Sequence, residues 1–375
     1  MPDLSQEMTL RCRILCPIHI GSGDEMEPFE LLEGAEGRFH RVRTEKLLLA
    51  LSALQRAEWD KNVARGDLAR AREVLIIAFR QLANQNMPAG LSRYVIQATD
   101  AFKAEYRKRA ARPEGLFEVM EAQRTPDGAL RIPGSSIKGA LRTAVMSGRV
   151  REEHRRQFQS EPDQKDHASS KRLSPEQVRG ILKPDIDSDP FAALTVRDVH
   201  LPADAGRLVT VRNRSLGRDT DAAQGIPMQF EVIEGRALVA NRTRGFAIRL
   251  SLNKDMNRRR RYTAAVTLEE VVKAAIFFFK RRFEEERARF YEPWGMWNSL
   301  EPALRLEENE FYLRLGHFSH VECMTIEGYR EVSPGPKARG AAPRDFGASR
   351  SLADGKYPFG WIACRIESIS PAQNP

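Results

Sequence analysis

The segment that most restricts how this chain can fold is Leu130-Arg131-Ile132-Pro133-Gly134-Ser135-Ser136-Ile137-Lys138-Gly139-Ala140-Leu141-Arg142. Leu130-Arg131-Ile132 reads as a short strand. Pro133-Gly134 breaks it, and Ser135 or Ser136 is expected to cap a helix that runs to about Ser147. A strand that hands directly to a helix suits a sheet with helices laid against it.

The rest of the chain supplies them. Residues 8–20 alternate apolar and polar and read as a strand that ends in Gly21-Ser22-Gly23. Helical spacing follows through Leu47, Leu48, Leu51 and Leu54, with Thr44 as the expected N-cap. Further helices are expected over about 67–83 and 102–112. Strand patterns return at 194–201, 207–214, 228–233 and 246–252, with Glu234-Gly235 turning a hairpin. Thr267 opens the clearest long helix, where Val272, Ile276, Phe279, Phe283 and Phe290 form an apolar stripe expected to pack in the core. Strands at 311–315 and 359–366 close the chain, and 327–357 shows no hydrophobic period. The order strand, helix, strands, helix, strand predicts an α+β fold with a ferredoxin-like (RRM-like) core. We expect one elaborated domain over 1–375. It would carry a helical insertion at 55–130 and a polar surface insertion at 148–190, the latter partly disordered.

Charge narrows the partner class. The formal net charge is +9, which suits an anionic partner such as nucleic acid, although many basic proteins bind none. No apolar run reaches the length of a membrane span, and no secretory signal is visible at the start of the sequence. The four cysteines form no Cys-x-x-Cys pair, as expected for a reduced, cytoplasmic protein.

Several segments could touch phosphate. At the start of the 134–147 helix, Gly134 leaves room for an anion, Ser135 and Ser136 offer hydroxyls, and Lys138 and Arg142 lie on one face. An ordinary capped helix with a solvated basic face explains the same residues. His19, Gly21, Ser22 and Gly23 could approach RNA at a strand end, or form only a tight turn beside a partly buried histidine. The Gly- and Arg-rich stretch 335–355 offers Lys337, Arg339, Arg344 and Arg350, and the basic run 258–261 begins with Arg258 and Arg259. A mobile loop and a solvated charge run are the simpler readings of these two. His317-x-x-His320-x-x-Cys323 has zinc-binding residue types without a finger's spacing, so no metal and no other cofactor is expected.

Taken in order, four segments resemble the RAMP superfamily of CRISPR proteins: 17–23, 132–142, 189–198 and Tyr357-Pro358-Phe359-Gly360-Trp361. Within it, the likeness is to the fifth subunit of Csm (type III-A) effector complexes. That resemblance implies an RRM-like core and a non-catalytic RNA-binding subunit. Such a subunit caps the 3′ region of the guide crRNA, helps its maturation and supports complex assembly in antiviral defence. Its implied partners are guide crRNA, a backbone RAMP subunit, a small helical subunit, target RNA, and host nucleases that trim the guide. The resemblance places His19 to Gly23 beside the RNA, and Ser135, Ser136, Lys138 and Arg142 on the guide backbone. The backbone relative's cleaving aspartate has no match here, since Asp24 directly follows Gly23. Two alternatives remain. One is a metal-independent endoribonuclease acting on repeat RNA through His19 or His40, with Lys138 stabilising charge. The other is a target-cutting backbone subunit.

Overall fold

The computed structural model describes residues 5–34, 37–85, 87–110, 118–158, 173–182, 189–216, 224–240, 244–253, 265–327, 329, 332 and 346–371. Six of its elements form a split βαβ unit repeated once. They are β1 (Ser5–Ile14), α5 (Gly134–Phe158), β8 (Leu194–Val196), β12 (Gly245–Asn253), α7 (Leu268–Glu286) and β15 (Trp361–Pro371). With the short β13 (Phe311–Arg314) at one edge, the strands line up as β13-β15-β1-β12-β8, every neighbour antiparallel. This is the expected ferredoxin-like core.

Period-two alternation explains how β1 sits in that sheet. Met8, Leu10, Cys12 and Ile14 are buried, and they join one apolar cluster with Ile137 and Leu141 of α5 and Val271, Ala275 and Phe279 of α7. The alternate residues Thr9 and Arg11 point the other way. α7 starts where its sequence says it should, with the Thr267 side chain accepting a hydrogen bond from the Glu270 amide. Val272, Phe279, Phe283 and Phe290 of the predicted stripe are buried, whereas Ile276 is 41% exposed. Among the described residues, no helix is long and apolar enough to cross a membrane.

A second sheet is built largely from the long interval between β1 and α5. Its path is β2 (Gly21–Met26), β6 (Val119–Ala122), β11 (Gln224–Ile233), β10 (Gly206–Ser215), β5 (Ser92–Ala98), β4 (Phe39–Val42) and β3 (Leu31–Glu33). β14 (Ser349–Ala353) pairs with β10 beyond the point where β5 leaves it. Helices α1 (Thr44–Leu49), α2 (Ala53–Ala64), α3 (Leu68–Gln85) and α4 (Asp100–Ala110) accompany this sheet. Phe79 and Leu75 of α3 pack on Leu32 and Val42. The interval 55–130 thus holds strands as well as helices: β5, β6 and β7 (Leu130–Ile132), the last paired with β9 (Val199–Leu201). The remaining short helices are α6 (Pro175–Leu182), α8 (Trp297–Leu304) and α9 (His320–Met324).

Three local readings change. The N-cap of α1 is Arg43, and Thr44 is its first residue. α5 begins at Gly134 and continues to Phe158, eleven residues beyond the expected end at Ser147. β14 lies inside 327–357, where no period was visible, because its five residues are stabilised by pairing with β10, a long-range contact.

Candidate nucleic-acid interface

The start of α5 is held by the chain itself. The Gly134 amide donates to Asp198 Oδ1 at 2.7 Å, and Asp198 Oδ2 also pairs with Arg131 at 2.9 Å. The Gly134 amide and the Arg131 guanidinium together hold the Asp198 carboxyl below the usual range. A carboxylate of this chain therefore occupies the place at the helix N-terminus where a phosphate was expected. Gly134 serves protein packing, since a Cβ there would sit 2.0 Å from the Val196 carbonyl oxygen. Neither serine is the cap, for the capping side chain comes from Asp198. Ser135 is exposed and Ser136 half-buried.

Lys138 and Arg142 are likewise engaged. Lys138 Nζ donates to the Leu194 carbonyl at 2.7 Å, and burial lowers its pKa. Arg142 pairs with Asp189, donates to the Leu182 carbonyl at 3.0 Å, and lies over the Phe191 ring. Both tie α5 to the segment that leads into β8.

His19 is 3% exposed. Its Nδ1 lies 2.7 Å from the Glu231 carbonyl oxygen, which can only accept, so Nδ1 carries the proton. Burial drives its pKa down to about 4, and nearby His317 pushes the same way. Gly21 lies close over the ring, where a Cβ would approach Nε2 to 3.1 Å. Gly23 needs to be glycine for its φ of +96°. Ser22 and Asp24 are exposed, with the Ser22 hydroxyl accepting from the Asp24 amide. His40 is half-buried against Phe79, with Nδ1 3.1 Å from the Ser92 hydroxyl.

Arg350 departs furthest from expectation. It lies on β14 at 3% exposure, rather than on an open phosphate-binding loop. Its Nε donates to Glu286 Oε1 at 2.6 Å and its Nη2 to Glu322 Oε1 at 2.8 Å. Glu286 also accepts from Arg314 Nη1 and Trp361 Nε1. Burial alone would raise the Glu286 pKa, but Arg314 and Arg350 outweigh it and hold the carboxyl at about 2. Arg258, Arg259, Lys337, Arg339 and Arg344 lie outside the described residues. Among the described residues, no group of three His, Cys, Asp or Glu is placed to hold a metal ion.

The structure brings together a different set of cations. On the face of the five-stranded sheet opposite Leu10, Arg11 is directly flanked by Arg365 on β15 and Ala247 on β12. In the next row Arg249 faces Thr9. The Arg197 amide bonds the Arg249 carbonyl, so the row continues to the turn after β8. Arg11, Arg197, Arg249 and Arg365 are all exposed. Arg11 has Glu367 beside it, and Arg197 lies 3.7 Å from Glu7. Both pairs are solvated, so the guanidiniums can exchange these carboxylates for a phosphate at small cost. Such a flat array can follow a sugar–phosphate backbone without reading bases. Alternation placed Arg11 opposite Leu10 in the sequence, but only sheet order sets Arg249 and Arg365 beside it.

A RAMP superfamily profile matches residues 11–319 of the chain. The chain belongs to the RAMP superfamily. The fold of this RAMP protein is similar to a chain of a Csm–crRNA–target RNA ternary complex from a type III-A CRISPR-Cas system. That match has a TM-score of 0.64 and 20% identity, covering 96% of this chain and 100% of the other. The fold is also similar to T. onnurineus Csm5, with a TM-score of 0.59 and 22% identity, over 95% and 99% of the two chains. At such identities the likeness is one of fold. No curated protein matches the chain significantly.

Proposed function

We propose that this RAMP protein is a non-catalytic RNA-binding subunit of a type III-A, Csm-type CRISPR effector. In this reading it grips the 3′ region of guide crRNA, supports its maturation and caps the assembly beside a backbone RAMP subunit and a small helical subunit. Target RNA and the host nucleases that trim the guide would be further partners. The observation that carries the proposal is the exposed row of Arg11, Arg249 and Arg365 across an RRM-like sheet. These cations can meet phosphates whatever the base sequence.

The geometry argues against His19 as a general base. A base acting on a 2′-hydroxyl must reach it, and this imidazole is 3% exposed with Nδ1 committed to a carbonyl. Asp24 is exposed, and among the described residues no group of three His, Cys, Asp or Glu is placed to hold a metal ion beside it.

The test is purification with associated RNA, followed by subunit counting and mapping of the RNA 3′ ends. One copy per complex, on RNAs sharing a 3′ boundary, supports the reading. Incubation with repeat RNA and chelator should leave the RNA intact. A 2′,3′-cyclic product that disappears in His19→Ala would overturn it.

A further inference from the structure

Among the described residues, the last half of β15 lies uncovered although it stands inside the sheet order. β13 pairs with β15 only from Phe311↔Cys364 to Arg314↔Trp361. β15 itself runs on to Pro371, paired on its other side with β1 as far as Gln6. Thus 365–371 has no strand on its β13 side among the described residues. The cause is local. Before Phe311 the chain turns back through Asn309, at φ +60°, and the Glu310 amide bonds the Glu307 carbonyl. β13 therefore cannot extend along β15.

What lies at this edge is apolar. Ile366 is in register with buried Leu10, and Ile369 with buried Met8, so both side chains point to the core side of the sheet. Yet they are 46% and 52% exposed, because no described element closes the layer beside them. Ile366 lines a groove with Ile276 of α7 and Phe311. The Gly360 carbonyl accepts from Leu315 on the β13 side, whereas the Trp361 carbonyl accepts from Leu15 on the β1 side. This alternation sends the amide and carbonyl of Ile366 toward the open edge, and the β-bulge opposite Thr9 and Leu10 adds one residue to β15, so those of Ile369 face the same way. Unpaired backbone groups with apolar side chains beneath them are the template for an added strand.

We propose that 365–371 of β15 takes an extended segment of another protein subunit as an added strand, an inference that rests on the reading of this chain as a complex subunit. The segment would be apolar at alternate positions, to cover Ile366, Ile276 and Phe311. It would carry a basic residue, because the groove rim holds Glu308, Glu310 and Glu367 against one guanidinium, Arg365. Glu310 and Glu367 are engaged by Arg13 and Arg11, and Glu308 has no ion pair among the described residues. Glu308, the rim carboxylate left without a described ion pair, is the group that basic residue would meet, whereas Arg365 on the same rim belongs to the arginine row.

Hydrogen–deuterium exchange decides it, measured on the full chain alone and on the ribonucleoprotein recovered through a tag on this chain from its own cells. In the assembly the amides of Ile366 and Ile369 should exchange at least tenfold more slowly. Two variants accompany the wild type. Ile366→Pro removes the outward amide, and Ile369→Lys charges a half-exposed position that the fold tolerates. Each should lower recovery of protein partners at least tenfold, with the variant's circular dichroism and its affinity for guide RNA unchanged. Equal exchange in the free and assembled chain overturns the proposal, as does Ile369→Lys recovering its partners like wild type. Protection that appears in the chain alone together with a doubled mass also overturns it, since the occupant would be a second copy. Recovery of RNA without any protein sinks the added strand and leaves RNA binding standing. Recovery of protein without RNA, with the edge protected, supports the strand and removes the RNA-binding reading.

Discussion

The first turns of α5 and the outer row of the five-stranded sheet both hold cations, but they differ in what answers the charge. At α5, Asp198 occupies the helix N-terminus, and the Leu194 carbonyl and Asp189 take up Lys138 and Arg142. On the sheet, Arg249 and Arg365 stand exposed with no ion pair among the described residues. Arg350 is the extreme of the first kind, enclosed by two carboxylates. A basic residue becomes a phosphate site only where folding has left its charge unanswered, or answered by a solvated carboxylate that it can exchange, as Arg11 is by Glu367. A cation already paired inside the protein must give up that partner first, at the cost of an uncompensated buried group.

This contrast can be broken by substitution, beginning with the largest expected effect. Arg350→Ala leaves Glu286 and Glu322 without their buried partner. It should destabilise the fold by about 3–5 kcal/mol in urea unfolding, and a loss under about 1 kcal/mol would show that the pair is not closed in solution. Gly134→Ala drives a Cβ against the Val196 carbonyl, which should cost about 3 kcal/mol by the same measurement. Tolerance of alanine would mean that β8 does not press on α5.

His19 gives a pH signature. Its folded pKa of about 4 lies below the unfolded value of 6.5. Between these two values the unfolded chain binds more protons than the native one, so stability falls as the medium is acidified through that window. The loss should reach roughly 2–3 kcal/mol by pH 4. His19→Gln should lessen that slope, measured by denaturation at pH 4.5 and 7, with the remainder coming from His320 and His40, whose pKa values burial also lowers. An unchanged slope would assign it to another group.

The smallest stability effects belong to the sheet. Arg249→Ala and Arg365→Ala should each change stability by less than about 0.5 kcal/mol. Each should lower the slope of log affinity against log salt for single-stranded RNA by roughly 0.7. Lys138→Ala should leave that slope unaltered. The reverse ranking, with Lys138 dominant and Arg249 silent, would return the RNA site to α5.

Much of the core was legible locally. The alternation in β1 and the stripe in α7 are periodic, and burial follows periodicity once a sheet exists. Ile276 escaped because its exposure depends on β13 stopping at Phe311, set by a turn through Asn309. β14 escaped because five residues without a period become a strand only by pairing with β10. For the site, Gly134 reads in the sequence as leaving room for a phosphate, and in the fold it is the Val196 carbonyl that lies against it. What approaches, a carbonyl and a carboxylate from residues 196 and 198, was not readable from residues 133–139.

The sequence by itself determined the core strands β1, β8, β12 and β15 and the helices α5 and α7, which rest on periodicity and breakers, and motif order along the chain carried the resemblance to the family. The tertiary structure alone decided which cations are free and which strand edge is open. Both depend on pairing between residues far apart in sequence: Asp198 with Gly134, Glu286 with Arg350, and Arg11 with Arg365. A charge is spent or available according to its neighbours in space, and spacing along the chain carries no record of them.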